Sequence, residues 1–273
     1  MTKPILIIGG RGKTGSRVAD RLEARGLPVR LGSRATGFDW TDRGTWAAAL
    51  EGAASAYITY YPDIAIKGAA ETVGALAELA VSLGVKRLVL LSGRGEPEAQ
   101  RAEQQLIASG AEWTIARASW FNQNFDEGQF LDMVLSGEVA LPVDKVREPF
   151  VDVDDVADVV VAALTDTRHV GEIYELTGPR LLTFADAVAE INRAAGTTVG
   201  FRTMPAHEFL DWLAHSEVPD EIAGLLEELF SVVLDGRNES LADGVERALG
   251  RQPKDFADFA HDAAAKGAWR QAA

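Results

Sequence analysis

The residues best placed to do chemistry are Gly9, Gly12 and Gly15, which recur at every third position between an apolar run, Ile5 to Ile8, and an amphipathic stretch holding Val18 and Leu22. Gly10, Arg11, Lys13 and Thr14 fill the same turn. A turn of this kind lets backbone approach a diphosphate. The helix that follows offers unpaired N–H groups and the positive end of its dipole. The indicated chemistry is binding of a dinucleotide pyrophosphate. The spacing Gly9-x-x-Gly12-x-x-Gly15 differs from G-x-G-x-x-G, and Lys13-Thr14 lacks the long preceding loop of a Walker site. A tight turn that only packs helix on strand would use the same glycines.

Downstream residues extend the candidate site. Pro28 to Leu31 reads as a second strand ending in Gly32-Ser33-Arg34. An acidic residue there would hold a ribose 2′-hydroxyl. This chain has none, and Ser33 and Arg34 suit a 2′-phosphate, so NADP(H) is expected over NAD(H). Phe38-Asp39-Trp40 reads as a short third strand, with Asp39 and Trp40 near the adenine or, equally, in packing and capping. Ala56 to Tyr61 reads as a fourth strand whose carboxyl end opens on the cofactor, so that Tyr60 or Tyr61 faces ribose or substrate, with Tyr60 the candidate for cofactor contact and for catalysis. Ser92 ends a fifth strand, Lys86 to Leu91, and is a candidate proton donor or cofactor contact; it reads equally as a turn serine.

A sixth strand, Glu112 to Ala118, leads into Ser119-Trp120-Phe121-Asn122-Gln123-Asn124-Phe125. That density of rings and amides suits a nicotinamide or substrate pocket. Phe121 is expected at the cofactor, and Trp120, Asn122 and Phe125 at the substrate. Asp152, Asp154 and Asp155 precede or open a helix and read as capping residues.

These elements need a scaffold, and the chain is long enough to build one. It has 273 residues, 47% of them hydrophobic, and a formal net charge of -14. Such a charge repels nucleic acid. There is no cysteine, which excludes disulfides and thiolate chemistry. The four histidines have no metal-ligand spacing, so no metal is expected. No secretory leader or membrane-length apolar run is visible, and a cytoplasmic protein with a small-molecule substrate is the expectation. The sequence leaves oligomerisation open.

Alternating strands and helices indicate an α/β fold, a Rossmann-type doubly wound parallel sheet with a smaller, mostly helical C-terminal lobe. The expected division is 1–178 for NADP(H) and 179–273 for a substrate or lid lobe, to which 120–150 could also contribute. A long helix is expected from Asp63 to Leu83, and others over Pro97 to Ser109, from Thr183 to Gly196 behind a Thr183-x-x-Asp186 capping box, and over Phe256 to Ala265.

The motifs in order resemble the NmrA-like branch of the atypical short-chain dehydrogenases. The carriers are Gly9 to Gly15, Phe38-Asp39-Trp40, Val85 to Ser92, Trp113 to Arg117 and Trp120 to Phe125. Within that branch the glycine turn and the Phe38-Asp39-Trp40 strand are most similar to the ergot-alkaloid agroclavine dehydrogenase subgroup, and the likeness continues through Tyr174 to Pro179 and Lys254 to Phe259. The resemblance implies a Rossmann sheet, NADPH and, in that subgroup, reduction of an imine or iminium carbon.

The chain departs from ordinary short-chain dehydrogenases at their Tyr-x-x-x-Lys pair. Its tyrosines are Tyr57, Tyr60, Tyr61 and Tyr174, and none has lysine four positions on. Three readings fit this absence. The first is an NADPH-dependent reductase of cyclic imines, iminium ions or activated C=C bonds, for which no strong acid is required. The second is a redox sensor that binds NADP(H) and acts through a protein partner. The third is a quinone reductase.

Overall fold

In the computed structural model, residues 2–215 and 220–270 are described. They fall into two compact units. The first comprises Met1–Ala118, Val153–Leu176 and Asp243–Arg251, and the second Ser119–Asp152, Thr177–Ala242 and Gln252–Ala273. Residues 119–152 thus belong to the second unit, and Asp243–Arg251 returns to the first.

The first unit opens with β1 (Ile5–Ile8), α1 (Lys13–Ala24), β2 (Val29–Gly32), α2 (Trp46–Leu50) and β3 (Ser55–Ile58). It continues with α3 (Ala69–Ser82), β4 (Arg87–Gly93), α4 (Pro97–Ala108) and β5 (Glu112–Ala118). In the second unit, α5 (Leu131–Ser136), β6 (Glu138–Leu141) and β7 (Arg147–Glu148) come next. The first unit resumes with α6 (Val153–Thr165) and β8 (Glu172–Leu176). The second then adds β9 (Leu182–Thr183), α7 (Phe184–Ala195), β10 (Gly200–Thr203), α8 (Ala206–His215) and α9 (Asp220–Glu228). Finally α10 (Gly244–Leu249) joins the first unit and α11 (Phe256–Ala265) the second.

The six-stranded sheet has the order β2-β1-β3-β4-β5-β8, with every pair parallel. The expected doubly wound sheet is therefore present. Its order turns from one direction to the other at β1, which places the crevice outside the carboxyl ends of β1 and β3. Strand alternation divides the side chains between two faces. Leu6, Ile8, Ala56, Ile58, Leu88 and Leu90 join Leu50, Val73, Leu76 and Leu106 of α2, α3 and α4 in one core. On the other face α1 packs beside α6. Arg21 of α1 reaches Asp154 and Asp158 of α6, both at 2.7 Å, and Arg251 holds Asp155 and Asp158, both at 2.6 Å. Asp154 and Asp155 are thus tied into structural ion pairs, in keeping with the structural reading.

Two expected elements differ. Phe38-Asp39-Trp40 is not a sheet strand; it forms only an isolated bridge, Asp39 to Asp42. Its alternation comes from Phe38 burying while the Trp40 indole N–H donates to the Thr59 carbonyl at 3.2 Å. The long helix begins at Ala69 rather than Asp63, because Gly68 adopts φ +88° just before it. Asp63 instead accepts the Ala65 N–H at 2.9 Å.

The second unit has its own core, built on Phe125, Phe130, Phe150, Phe184, Phe230 and Phe256. It carries a parallel pair, β10 with β6, and an antiparallel pair, β7 with β9. The Thr183–Asp186 capping box and the α11 span are as the sequence indicated.

Candidate dinucleotide site

The glycine turn is explained residue by residue. Gly9 takes φ +73°, and a Cβ there would lie 2.0 Å from the Thr59 hydroxyl oxygen. That hydroxyl donates to the Ile8 carbonyl at 3.0 Å, locking the end of β3 to the end of β1. A Cβ on Gly10 would meet Leu31 at 2.7 Å, and one on Gly15 would meet the Gly9 carbonyl at 2.2 Å. Close packing within the chain thus requires three of the four glycines.

Gly12 is different. It is exposed, with φ -81° and ψ 174°, a conformation open to any residue. A Cβ there would meet only the Gly9 carbonyl, at 3.3 Å. Gly12 caps α1 without a side-chain bond, and the first turn of α1 holds no acidic residue. A twelve-residue helix therefore presents an uncapped N-terminus beside a position kept free of side chain. A pyrophosphate fits this cradle, its charge facing the helix dipole.

The neighbouring side chains divide. Arg11 is exposed and Lys13 half-buried. Thr14 is buried and its hydroxyl accepts from the Tyr57 phenol at 3.0 Å. Burial pushes the Tyr57 phenol well above its ordinary value, so it remains a donor. Accepting from Tyr57 leaves the Thr14 hydroxyl hydrogen available for donation.

At the end of β2, the Ser33 N–H donates to the Thr36 hydroxyl at 2.9 Å, which folds the chain into a short helical turn at Arg34–Thr36. Arg34 is exposed, its guanidinium carbon 5.5 Å from the centre of the Tyr61 ring. Asp39 accepts from the Thr41 N–H at 2.9 Å and the Thr41 hydroxyl at 2.8 Å. Those bonds, helped by the charge of Arg34, hold its carboxyl below the usual range. Trp40 packs against Phe38 at 5.2 Å, Trp46 at 5.9 Å and Tyr60 at 4.8 Å between ring centres. Tyr60 is thus one wall of a ring cluster, and Tyr61 is the exposed member of the pair.

Ser92 lies in a buried ionic row. Its hydroxyl donates to Glu103 at 2.6 Å. Glu103, fully buried on α4, is clamped by Arg117, whose Nε lies at 2.9 Å, and Arg117 reaches Glu175 at 2.9 Å. The Ser92 hydroxyl thus donates to a buried carboxylate rather than to local backbone. Glu103 was not singled out in the sequence, although it interrupts the apolar stripe Ala99, Ala102 and Leu106, a pattern that marks a buried acid.

The aromatic segment after β5 lies in the second unit. Phe125, expected at the substrate, is fully buried in that core. Trp120, half-buried, stacks on Phe130 at 6.0 Å and 12° and meets Phe184 and Phe230 at 5.7 and 5.6 Å. Phe121 is half-buried and pairs by backbone with Val151. Asn122 is fully buried; its amide has no hydrogen-bond partner among the described residues.

The sheet order, the crevice beside β1 and the cradle at α1 define a Rossmann-type α/β protein. The match to the NmrA-like family runs over residues 32–260, and the chain belongs to that family. It is 30% identical over 275 residues to the Uncharacterized oxidoreductase YesF of Bacillus subtilis (strain 168), covering 94% of each chain. It is also 30% identical over 289 residues to agroclavine dehydrogenase of Claviceps fusiformis, covering 94% of this chain and 96% of that one. Among solved structures, Citrobacter sp. triphenylmethane reductase complexed with NADP(H) superimposes with a TM-score of 0.75 at 16% identity, covering 95% and 99% of the two chains. No described helix is long and apolar enough to cross a membrane.

Proposed function

We propose that this protein is an NADPH-dependent oxidoreductase that delivers hydride to a cyclic imine, an iminium ion or an activated C=C bond. The observation that carries the cofactor is Gly12, exposed at the uncapped start of α1, where an added Cβ would meet only the Gly9 carbonyl at 3.3 Å. Arg34 at the end of β2 supports NADP(H), since it forms no ion pair among the described residues and is exposed for a 2′-phosphate. The names of its relatives, an oxidoreductase and agroclavine dehydrogenase, support an oxidoreductase.

The acceptor class follows from what the first unit withholds. It has no Tyr-x-x-x-Lys pair, and the Ser92 hydroxyl is engaged by Glu103. Bound NADPH would supply the hydride. The chain binds the pyrophosphate at α1 and orients the dinucleotide across the carboxyl ends of β1 and β3. An iminium carbon that gains a C–H bond passes its C=N electron pair to nitrogen and becomes a neutral amine. No oxyanion forms from the iminium, so no phenol need protonate one; a neutral imine first takes its proton from solvent, and a C=C acceptor takes one from solvent after hydride addition. Orientation and a positioned cofactor then account for the catalysis.

The test is NADPH consumption against a panel of cyclic imines, enones and quinones. Turnover of the imines with slow or absent turnover of the quinones supports the reading. Tight NADPH binding with no acceptor reduced would replace it with a sensor role.

A further inference from the structure

We propose that Tyr61 positions Arg34 for the cofactor's 2′-phosphate and so helps set the preference for NADPH over NADH; this rests on the NADP(H) reading above. Arg34 follows β2, Tyr61 follows β3, and these strands flank β1 in the sheet. The two side chains meet across the carboxyl end of β1, beside the glycine turn. Tyr61 is 65% exposed, and its only ring contact among the described residues is the Arg34 guanidinium, 5.5 Å from its centre.

That arrangement suits a phosphate reader. A guanidinium face laid on a ring leaves the N–H edges free, and those edges match a phosphate in paired hydrogen bonds. Arginine is a long side chain that loses freedom when it is fixed. A ring that already restricts it lowers the entropy lost when the ligand arrives. The nearby carboxylate does not compete. Asp39 is occupied by the Thr41 N–H and hydroxyl and forms no ion pair with Arg34 among the described residues. Tyr60 is unavailable for this role, because its ring packs on Trp40. Tyr61 is therefore a positioning residue acting through Arg34.

The test is titration of the full chain with NADPH and with NADH, followed by tryptophan fluorescence. The variants are Tyr61→Leu, Tyr61→Phe, Arg34→Ala and the double variant. Tyr61→Leu should weaken NADPH about 2–5-fold, the effect of an exposed cation–π contact, and leave NADH unchanged. Tyr61→Phe keeps the ring and should match the wild type. With Arg34→Ala in place, Tyr61→Leu should add nothing. Equal losses for both cofactors, or a full Tyr61→Leu effect without Arg34, overturns the role of Tyr61. An unchanged NADPH-to-NADH preference in Arg34→Ala alone overturns the reading of Arg34 itself, and this proposal falls with it. High exposure of Tyr61 makes misfolding an improbable confounder, and circular dichroism of each variant checks it.

Discussion

The Ser92 hydroxyl donates to the Glu103 carboxylate at 2.6 Å, and Arg117 clamps the same carboxylate. A serine at the end of a central strand is thereby a structural donor to a buried charge. Hydrogen bonds to charged groups contribute about 1.5–3 kcal/mol. Ser92→Ala should lower unfolding stability by about 2 kcal/mol in a urea titration and leave the NADPH dissociation constant unchanged. Glu103→Ala should cost more, about 3 kcal/mol or above, because it leaves half-buried Arg117 with only Glu175. A tenfold loss of NADPH affinity in Ser92→Ala with stability intact would place Ser92 at the cofactor instead.

The turn predicts two opposite phenotypes from two glycines. Gly12→Val puts a side chain into the cradle, where φ -81° tolerates it and only one 3.3 Å contact resists. The fold should survive and NADPH binding should be abolished. Gly15→Ala drives a Cβ to 2.2 Å from the Gly9 carbonyl, backbone against backbone. That variant should lose stability, by about 1–3 kcal/mol as for other overpacked sites. Thermal melting and NADPH titration of both variants check the pair.

The glycine turn was legible in the sequence because each part of it is local: an apolar strand, a turn and a helix start lie within one short stretch. The same holds for the Thr183–Asp186 capping box. What the sequence concealed depends on distant partners. Phe38-Asp39-Trp40 alternates like a strand, but an alternating triplet does not reveal that its bridge, Asp39 to Asp42, is isolated and local. Asp63 is a good capping residue and serves a two-residue turn instead, with the helix delayed to Ala69. Phe125 and Trp120 carry the composition of a pocket and of a core alike, and only packing against Phe130 and Phe184 distinguishes them. The sequence singles out Tyr60 over Tyr61; the structure packs Tyr60 on Trp40 and leaves Tyr61 exposed.

If Arg34 holds the 2′-phosphate, as proposed, it sets the cofactor preference. A charge-assisted contact of about 1.5–3 kcal/mol corresponds to roughly 10–150-fold in affinity. Arg34→Ala should weaken NADPH by that factor and leave NADH nearly unchanged. Isothermal titration with each cofactor measures the difference directly. Equal losses for both would assign Arg34 to another part of the ligand or to none.

His169 makes stability depend on pH. Its Nε2 receives the Arg168 Nε–H at 3.2 Å, and arginine can only donate. The neutral ring therefore carries its proton on Nδ1, which faces the Tyr174 hydroxyl at 2.8 Å. Burial, and then the charge of Arg168, hold His169 below its ordinary value. The unfolded chain consequently binds a proton at a higher pH than the folded one. The stability linked to this group is whole above about pH 6.5 and is lost as pH falls from there toward the folded value. Urea midpoints at pH 7.5 and 5.5 should show a smaller drop for His169→Gln than for the wild type. An identical drop would assign the acid sensitivity to other groups.

The final prediction concerns the acceptor. An ordinary ketone becomes an alkoxide on receiving hydride and gains from an acid poised to protonate it, an aid typically worth about 10²–10⁴-fold in rate. This chain has no Tyr-x-x-x-Lys pair, and the hydroxyl that ends β4 is bound to Glu103. An iminium ion needs no such acid, because hydride addition leaves a neutral amine. The formal charge of -14 also favours approach of a cation over that of a neutral ketone, to an extent that salt screens. Cyclic imines should therefore be reduced at least about 10²-fold faster than ketones of the same ring size, the lower bound set by the missing acid. Raising ionic strength should slow the cationic acceptors and leave the ketones unaffected. Ser92→Ala should change the imine rate little once its lower stability is allowed for by assaying well below its melting temperature. Ketones reduced as fast as imines, together with loss of that activity in Ser92→Ala, would make Ser92 the acid after all and would end the imine reading.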